Sequence, residues 1–191
     1  LSEIVGDQVL PRVDLGGGGS WDISSDGRIA VVATEVLKIV DLPAWTVRHS
    51  IPLEKGTFHT AIFGDTVYAG GSDGRVRVVD AGTGRVTAEW PADTGPTLGV
   101  DVSPDGKWVA STGFDGQVDI WERESGILVR SAPVFDGPGT NVRFLPDSTR
   151  IVAVGADPGV AVITFDGAQR WEDAVSRMPD PIAMAQLGMW E

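Results

Sequence analysis

The sequence predicts an all-β protein built from one short unit used about four times. Three observations carry this. Stretches of one design recur at fixed spacing: "GGSDGRVRVV" (70–79), "TGFDGQVDIW" (112–121) and "VGADPGVAVI" (154–163) place Val76, Val118 and Val160 at steps of 42 residues. Turn formers are frequent, with 25 Gly and 12 Pro in 191 residues, and they gather between short apolar runs. No long segment carries apolar residues at helical spacing, whereas Val118-Asp119-Ile120 alternates as a half-buried strand does.

Each unit reads in the same order. A first strand and an Asp-containing turn open it: "WDISSDGRIAVVA" from Trp21, "TAIFGDTVYAG" from Thr60, "VDVSPDGKWVAST" from Val100 and "VRFLPDSTRIVAV" from Val142. The second strand runs into the turn that holds Asp73-Gly74, Asp115-Gly116 or Asp157. The first unit, "ATEVLKIVDL" at 33–42, has a shorter turn and puts Leu37 at the Val76 position, a step of 39. A third strand follows, then a loop and an outer strand: "WTVRHSI", "GRVTAEW", "GILVRSA" and "AQRWEDA". Gly in these turns tolerates positive φ, and Asp bonds its own backbone. Val, Ile, Trp and Phe suit the pleated strands between them.

Four antiparallel strands per unit of about 40 residues is the pattern of a β-propeller blade, whose two faces are buried only by neighbouring blades. The expected fold is a β-propeller segment of about four four-stranded blades, at about 16–53, 54–91, 92–133 and 134–175. Residues 1–15 read as the outer strand of a preceding blade, and 176–191 as a C-terminal strand or cap. Asp14 to Ile23 aligns without gaps to Asp93 to Val102, so "GGGGS" at 16–20 reads as a natural loop. An open arc exposes two blade faces. Three remedies are expected, in this order: missing blades from a longer chain, pairing of two four-blade halves, or closure as a small ring. The chain opens on Leu1 rather than methionine, as a partial chain would.

The third unit, "TLGVDVSPDGKWVASTGFDGQVDIWERESGILV", resembles the WD-repeat (WD40) family. Trp121 stands at the family's WD tryptophan, with Glu122 in place of the usual Asp; Asp115 is the turn aspartate and Ser111 the strand serine. The resemblance implies a buried hydrogen-bond network of Ser111, Asp115 and Trp121, joined in the family by a histidine whose position here is Asp93. Val40, Val79 and Ile163 replace the tryptophan in the other units. Residues 65–90 and "DGAQRW" (166–171) are also similar to quinoprotein-type propeller repeats, whose enzymes need a calcium-binding carboxylate site and eight blades.

Composition narrows the function classes. A net charge of −12 repels phosphate backbones, so nucleic acid is not an expected partner; a basic protein segment is. The acidity also serves solubility. With no Cys there is no disulfide, thiolate metal site or Cys nucleophile, which fits a reducing, cytoplasmic setting. No apolar run approaches the roughly 20 residues of a spanning helix, and Leu1 to Val5 lacks a signal peptide's basic start. The two histidines, His49 on an outer strand and His59 near the loop entering the second unit, sit in no Ser-His-Asp or zinc pattern. Asp26, Asp73, Asp105, Asp115 and Asp147 read as turn formers. Trp21, Trp108 and Trp121 read as core, while Trp171 and Trp190 could be exposed anchors.

No catalytic residue, metal or cofactor is expected. The resemblance implies a non-enzymatic interaction scaffold or sensor, within a larger bacterial signalling or regulatory protein. Its binding face would hold His59, Asp73, Asp93, Phe114, Asp115 and Asp157. The alternative is a ligand-binding or catalytic propeller of quinoprotein or lactonase type.

Overall fold

The computed structural model describes residues 4–5, 8–9, 13–16, 19–53, 56–165 and 176–177. Among them there is no helix, and four antiparallel sheets form four blades. After two short N-terminal strands, β1 (Ile4–Val5) and β2 (Gln8–Val9), blade one holds β3 (Trp21–Ile23), β4 (Ile29–Ala33), β5 (Leu37–Asp41) and β6 (Thr46–Ile51). Blade two holds β7 (Thr57–Phe63), β8 (Thr66–Gly71), β9 (Arg75–Asp80) and β10 (Arg85–Pro91). Blade three holds β11 (Thr97–Val102), β12 (Trp108–Gly113), β13 (Gln117–Glu122) and β14 (Leu128–Pro133). Blade four holds β15 (Gly139–Phe144), β16 (Arg150–Gly155), β17 (Val160–Thr164) and β18 (Ser176–Arg177).

β1 and β2 pair with each other, Ile4 opposite Val9, in a two-stranded sheet of their own. The outer strand expected at 168–174 lies outside the described residues. The pair bonded to β17 is Ser176–Arg177, opposite Val162 and Ala161, so the fourth sheet reaches past residue 175. Trp171 and Trp190 also lie outside the described residues.

Three apolar cores hold the arc together, one per junction. Blade one meets blade two through Val31, Leu37 and Ile39 against Ile62, Val67 and Val79. Blade two meets blade three through Tyr68, Val76, Val78 and Trp90 against Val100, Val109 and Trp121. Blade three meets blade four through Ala110, Val118 and Ile120 against Val142, Ile151, Ala153 and Ile163. Each fully buried Val, Leu or Ile contributes about 1.5–3 kcal/mol. Aromatics extend the second and third cores: Trp90 stacks on Trp121 at 5.7 Å, and Trp108 meets Phe165 edge-on at 4.8 Å.

Polar stitches link the inner strands. Asp22 on β3 accepts the Ile62 N–H at 2.9 Å. Asp101, the same repeat position in blade three, accepts the Phe144 N–H at 2.7 Å and pairs with Arg143 at 2.9 Å. Burial pushes the Asp101 carboxyl up, against the pull of those two donors. Blade two has Ala61 at this position, and there His59 Nδ1 accepts the Val100 N–H at 3.4 Å. His49 on β6 also reaches blade two, with Nε2 2.8 Å from the Gly82 carbonyl in an exposed contact.

The turn aspartates do what the sequence suggests. In the first turn of blades one and three, Ser24 and Ser103 donate to Asp26 and Asp105 at 2.7 Å, and the same carboxylates take the Arg28 and Lys107 N–H groups. Asp147 takes the Thr149 and Arg150 N–H groups and the Arg150 side chain, which hold its carboxyl at about 2.

At the other end of the blades, the linkers after blades two and three fold over the turn between second and third strands. The Gly74 carbonyl accepts from Ala92 and Asp93, and the Gly116 carbonyl accepts from Val134 and Phe135. Gly116 lies at φ 72°, and a Cβ there would sit 2.4 Å from the Phe135 carbonyl oxygen and 2.6 Å from that of Gly137. Gly116→Ala is therefore expected to destabilise the protein by about 2 kcal/mol, from left-handed strain plus a displaced linker. Urea unfolding checks this.

Trp21 overturns one expectation. It is 63% exposed, whereas its counterparts Thr60, Val100 and Val142 are buried. Val100 and Val142 pack toward the preceding blade, and blade one has no such blade among the described residues.

Candidate functional site

The turns after β8, β12 and β16 lie at one end of the blades, and the sequence predicted Asp73, Asp115 and Asp157 there at steps of 42 residues. Each has a different partner. Asp73 is gripped by Arg77 through two hydrogen bonds, 3.1 and 2.6 Å, which hold its carboxyl below the usual range. Arg77 also reaches Glu89 at 3.2 Å. Asp115 accepts from the Gln117 N–H at 3.0 Å and from its side-chain amide at 3.4 Å. Asp157 takes the Asp136 N–H at 2.9 Å.

Asp93 belongs to the linker between β10 and β11. Its Oδ1 accepts the Gly95 N–H at 2.6 Å, and its Oδ2 accepts the Asp115 N–H at 3.5 Å. Asp14 repeats the local turn, accepting the Gly16 N–H at 2.8 Å, as their alignment implies. Burial, reinforced by the Asp115 charge, pushes the Asp93 carboxyl up. Phe114 is 54% exposed beside it, its Cβ close to Gly95. His59 sits on β7 near the same end but is only 8% exposed, and burial lowers its pKa. It faces a cavity of about 650 Å³ with Asp22, Asn141 and Arg143, apart from the aspartates.

The expected network of Ser111, Asp115 and Trp121 forms only in part. Trp121 Nε1 donates to Ser111 Oγ at 2.9 Å, and both residues are buried. The Asp115 carboxylate turns to Gln117 instead. With Asp93 where the family has histidine, no donor is present to bridge Asp115 and Ser111, since a carboxylate only accepts.

Sequence reading missed two residues of this region, Arg77 and Asp119. They occupy one repeat position, on the third strand of each blade directly after the Leu37, Val76, Val118 or Val160 position, and the four copies are Lys38, Arg77, Asp119 and Ala161. Asp119 is 8% exposed, and its Oδ1 is buried with no hydrogen-bond partner. Burial pushes its carboxyl up to about 6; the Asp115 and Asp93 charges add to that, and Ser131 opposes it. Aligning the units at this one position and noting the reversal of charge would have found both.

Repeated four-stranded blades with cores at each junction define the class: a β-propeller segment. The WD domain, G-beta repeat family matches residues 84–122. That span joins β10 of blade two to β11–β13 of blade three, so the sequence repeat is offset from the blade by one strand. Among solved structures, 1461 chains match, so likeness of this kind speaks to fold alone. One, a chain of a mitotic checkpoint complex, is 18% identical with a TM-score of 0.72. The match covers 82% of this chain and 52% of that one, so the protein spans about half its length. The search of curated proteins found no match. Nothing in these matches supports the resemblance to quinoprotein repeats. No helix among the described residues is long and apolar enough to cross a membrane.

Proposed function

We propose that this propeller segment is a non-enzymatic interaction scaffold that binds a basic segment of a protein partner. The reading places it in a larger signalling or regulatory protein. The binding end is where the turns after β8, β12 and β16 gather with the linkers. The observation that carries the reading is Phe114, a large aromatic ring left in solvent beside Asp93 and Asp115 on a chain of net charge −12. Exposed aromatics anchor protein interfaces, and surrounding carboxylates select and steer a cationic partner.

An oligolysine–arginine peptide tests it by fluorescence titration. A triple variant, Phe114→Ser, Asp115→Asn and Asp157→Asn, is expected to bind at least about 10-fold more weakly. A control altering Asp105 and Glu124, at the opposite end, is expected to bind normally. Equal losses in both would show that only the overall charge is felt.

A second reading is favoured by Trp21. Its exposure, at a place where the other blades bury theirs, fits further blades completing the arc, from a longer chain or a second copy. Light scattering after size exclusion tests self-association: Trp21→Ser is expected to abolish a dimer if a second copy covers that face.

A further inference from the structure

The four copies of one repeat position show what kind of group its surroundings accept. In blade one Lys38 extends toward the linker, and its ammonium donates to the Leu15 carbonyl at 2.7 Å. In blade two Arg77 forks onto Asp73 and reaches Glu89. Two blades thus send a cation from their third strand toward this end, one onto the linker and the other onto the turn aspartate. Blade three has Asp119 there, and the Glu89 position is Ser131. Its turn acid Asp115 and linker acid Asp93 remain, so three carboxylates lie where blades one and two bring a cation and blade four has Ala161. Among the described residues, no lysine or arginine lies within ion-pair distance of any of the three.

A buried carboxylate oxygen without a partner is costly, and its cost falls when a hydrogen-bond donor arrives. Asp119 Oδ1 is such an atom. The three acids do not converge as metal ligands do. They are spread, and the exposed Phe114 ring stands beside Asp93 and Gly95. Planar carboxylates beside an aromatic face match a guanidinium, which forks onto carboxylates and stacks on rings, better than a compact ammonium.

We propose that Asp93, Phe114, Asp115 and Asp119 form a receptor for one arginine side chain of the protein partner. This rests on the reading of a basic segment bound at this end and names the side chain it delivers. Arg77 on Asp73 is the intramolecular likeness of the contact: the partner's arginine takes in blade three the place that blade two fills from its own strand. Asp93 and Asp115, half-buried, meet the guanidinium first, and Asp119 closes the site from below.

The test uses three capped tripeptides, Gly-Arg-Gly, Gly-Lys-Gly and Gly-citrulline-Gly, titrated into the isotope-labelled protein while amide resonances are followed. The arginine peptide is expected to shift Gly95, Phe114, Asp115 and Gly116 saturably. The citrulline peptide, alike in shape but uncharged, is expected to bind at least about 10-fold more weakly. Asp119→Asn is expected to weaken arginine binding about 5-fold or more. Asp119→Arg supplies the cation from β13; it is expected to remain folded, to melt no lower than the parent, and to lose the peptide response. Equal responses to lysine and arginine would overturn the assignment, as would an Asp119→Arg protein that still binds. If the arginine peptide shifts amides around Asp157 and leaves Gly95 and Asp115 silent, the receptor is refuted and the basic-segment reading stands. If neither cationic peptide moves any amide at this end, both fail.

Discussion

Replacing Trp121 with alanine is expected to lower the unfolding free energy by about 4 kcal/mol. The side chain is buried, stacks on Trp90 at 5.7 Å, and lies in the core that joins blades two and three. Small-to-medium domains hold only about 5–15 kcal/mol in total, so the variant will sit near the edge of folding. Trp121→Phe separates two contributions. It keeps most of the apolar contact but leaves the buried Ser111 hydroxyl without its 2.9 Å donor, at an expected cost of about 1–2 kcal/mol. Urea unfolding followed by far-ultraviolet circular dichroism reads both. A loss below about 1 kcal/mol for the alanine variant would mean the blades do not depend on this stack.

Asp119→Asn is expected to do the opposite, and only above mildly acidic pH. In the unfolded chain this carboxyl ionises near 3.8, and in the folded chain at about 6. Between those values the folded form holds a proton that the unfolded form has released, so wild-type stability falls as pH rises through the window and stays low above it. The gap corresponds to about 3 kcal/mol at pH 7. Asparagine cannot ionise. The two proteins are expected to be similarly stable at pH 4, with the variant ahead by about 2–3 kcal/mol at pH 7. Denaturant midpoints across that range check it. A variant weaker than wild type at pH 7 would show that ionised Asp119 is stabilised in the folded chain.

The repeat was legible because turns are local. Asp26, Asp105 and Asp147 bond backbone groups within a few residues of themselves, so sequence alone locates them. The Trp121–Ser111 bond was legible through the WD-repeat resemblance, and it joins adjacent strands of one hairpin, two register positions apart. The acid cluster was not. Asp119 looks like an outward residue in an alternating strand, and its burial comes from the packing of blade three on blade two. The change from Lys38 and Arg77 to an acid can be read by aligning the units, but that Asp119 is buried with an unpartnered oxygen shows only in space. Trp21 was misread as core because strand position says which way a side chain points, and a neighbouring blade decides whether anything meets it.

The three junctions are not stitched alike. Carboxylates of Asp22 and Asp101 tie the first and third, while an imidazole nitrogen of His59 ties the middle one. A protonated ring has no lone pair to offer the Val100 amide, and burial already resists that proton. Acidification below the ordinary histidine range is therefore expected to weaken the polar stitch of the central seam, while the apolar core around Trp90 and Trp121 still holds it. Amide-exchange protection at Val100, corrected for the slower intrinsic exchange in acid, is expected to fall below the ordinary histidine range, ahead of that at Ile62 and Phe144.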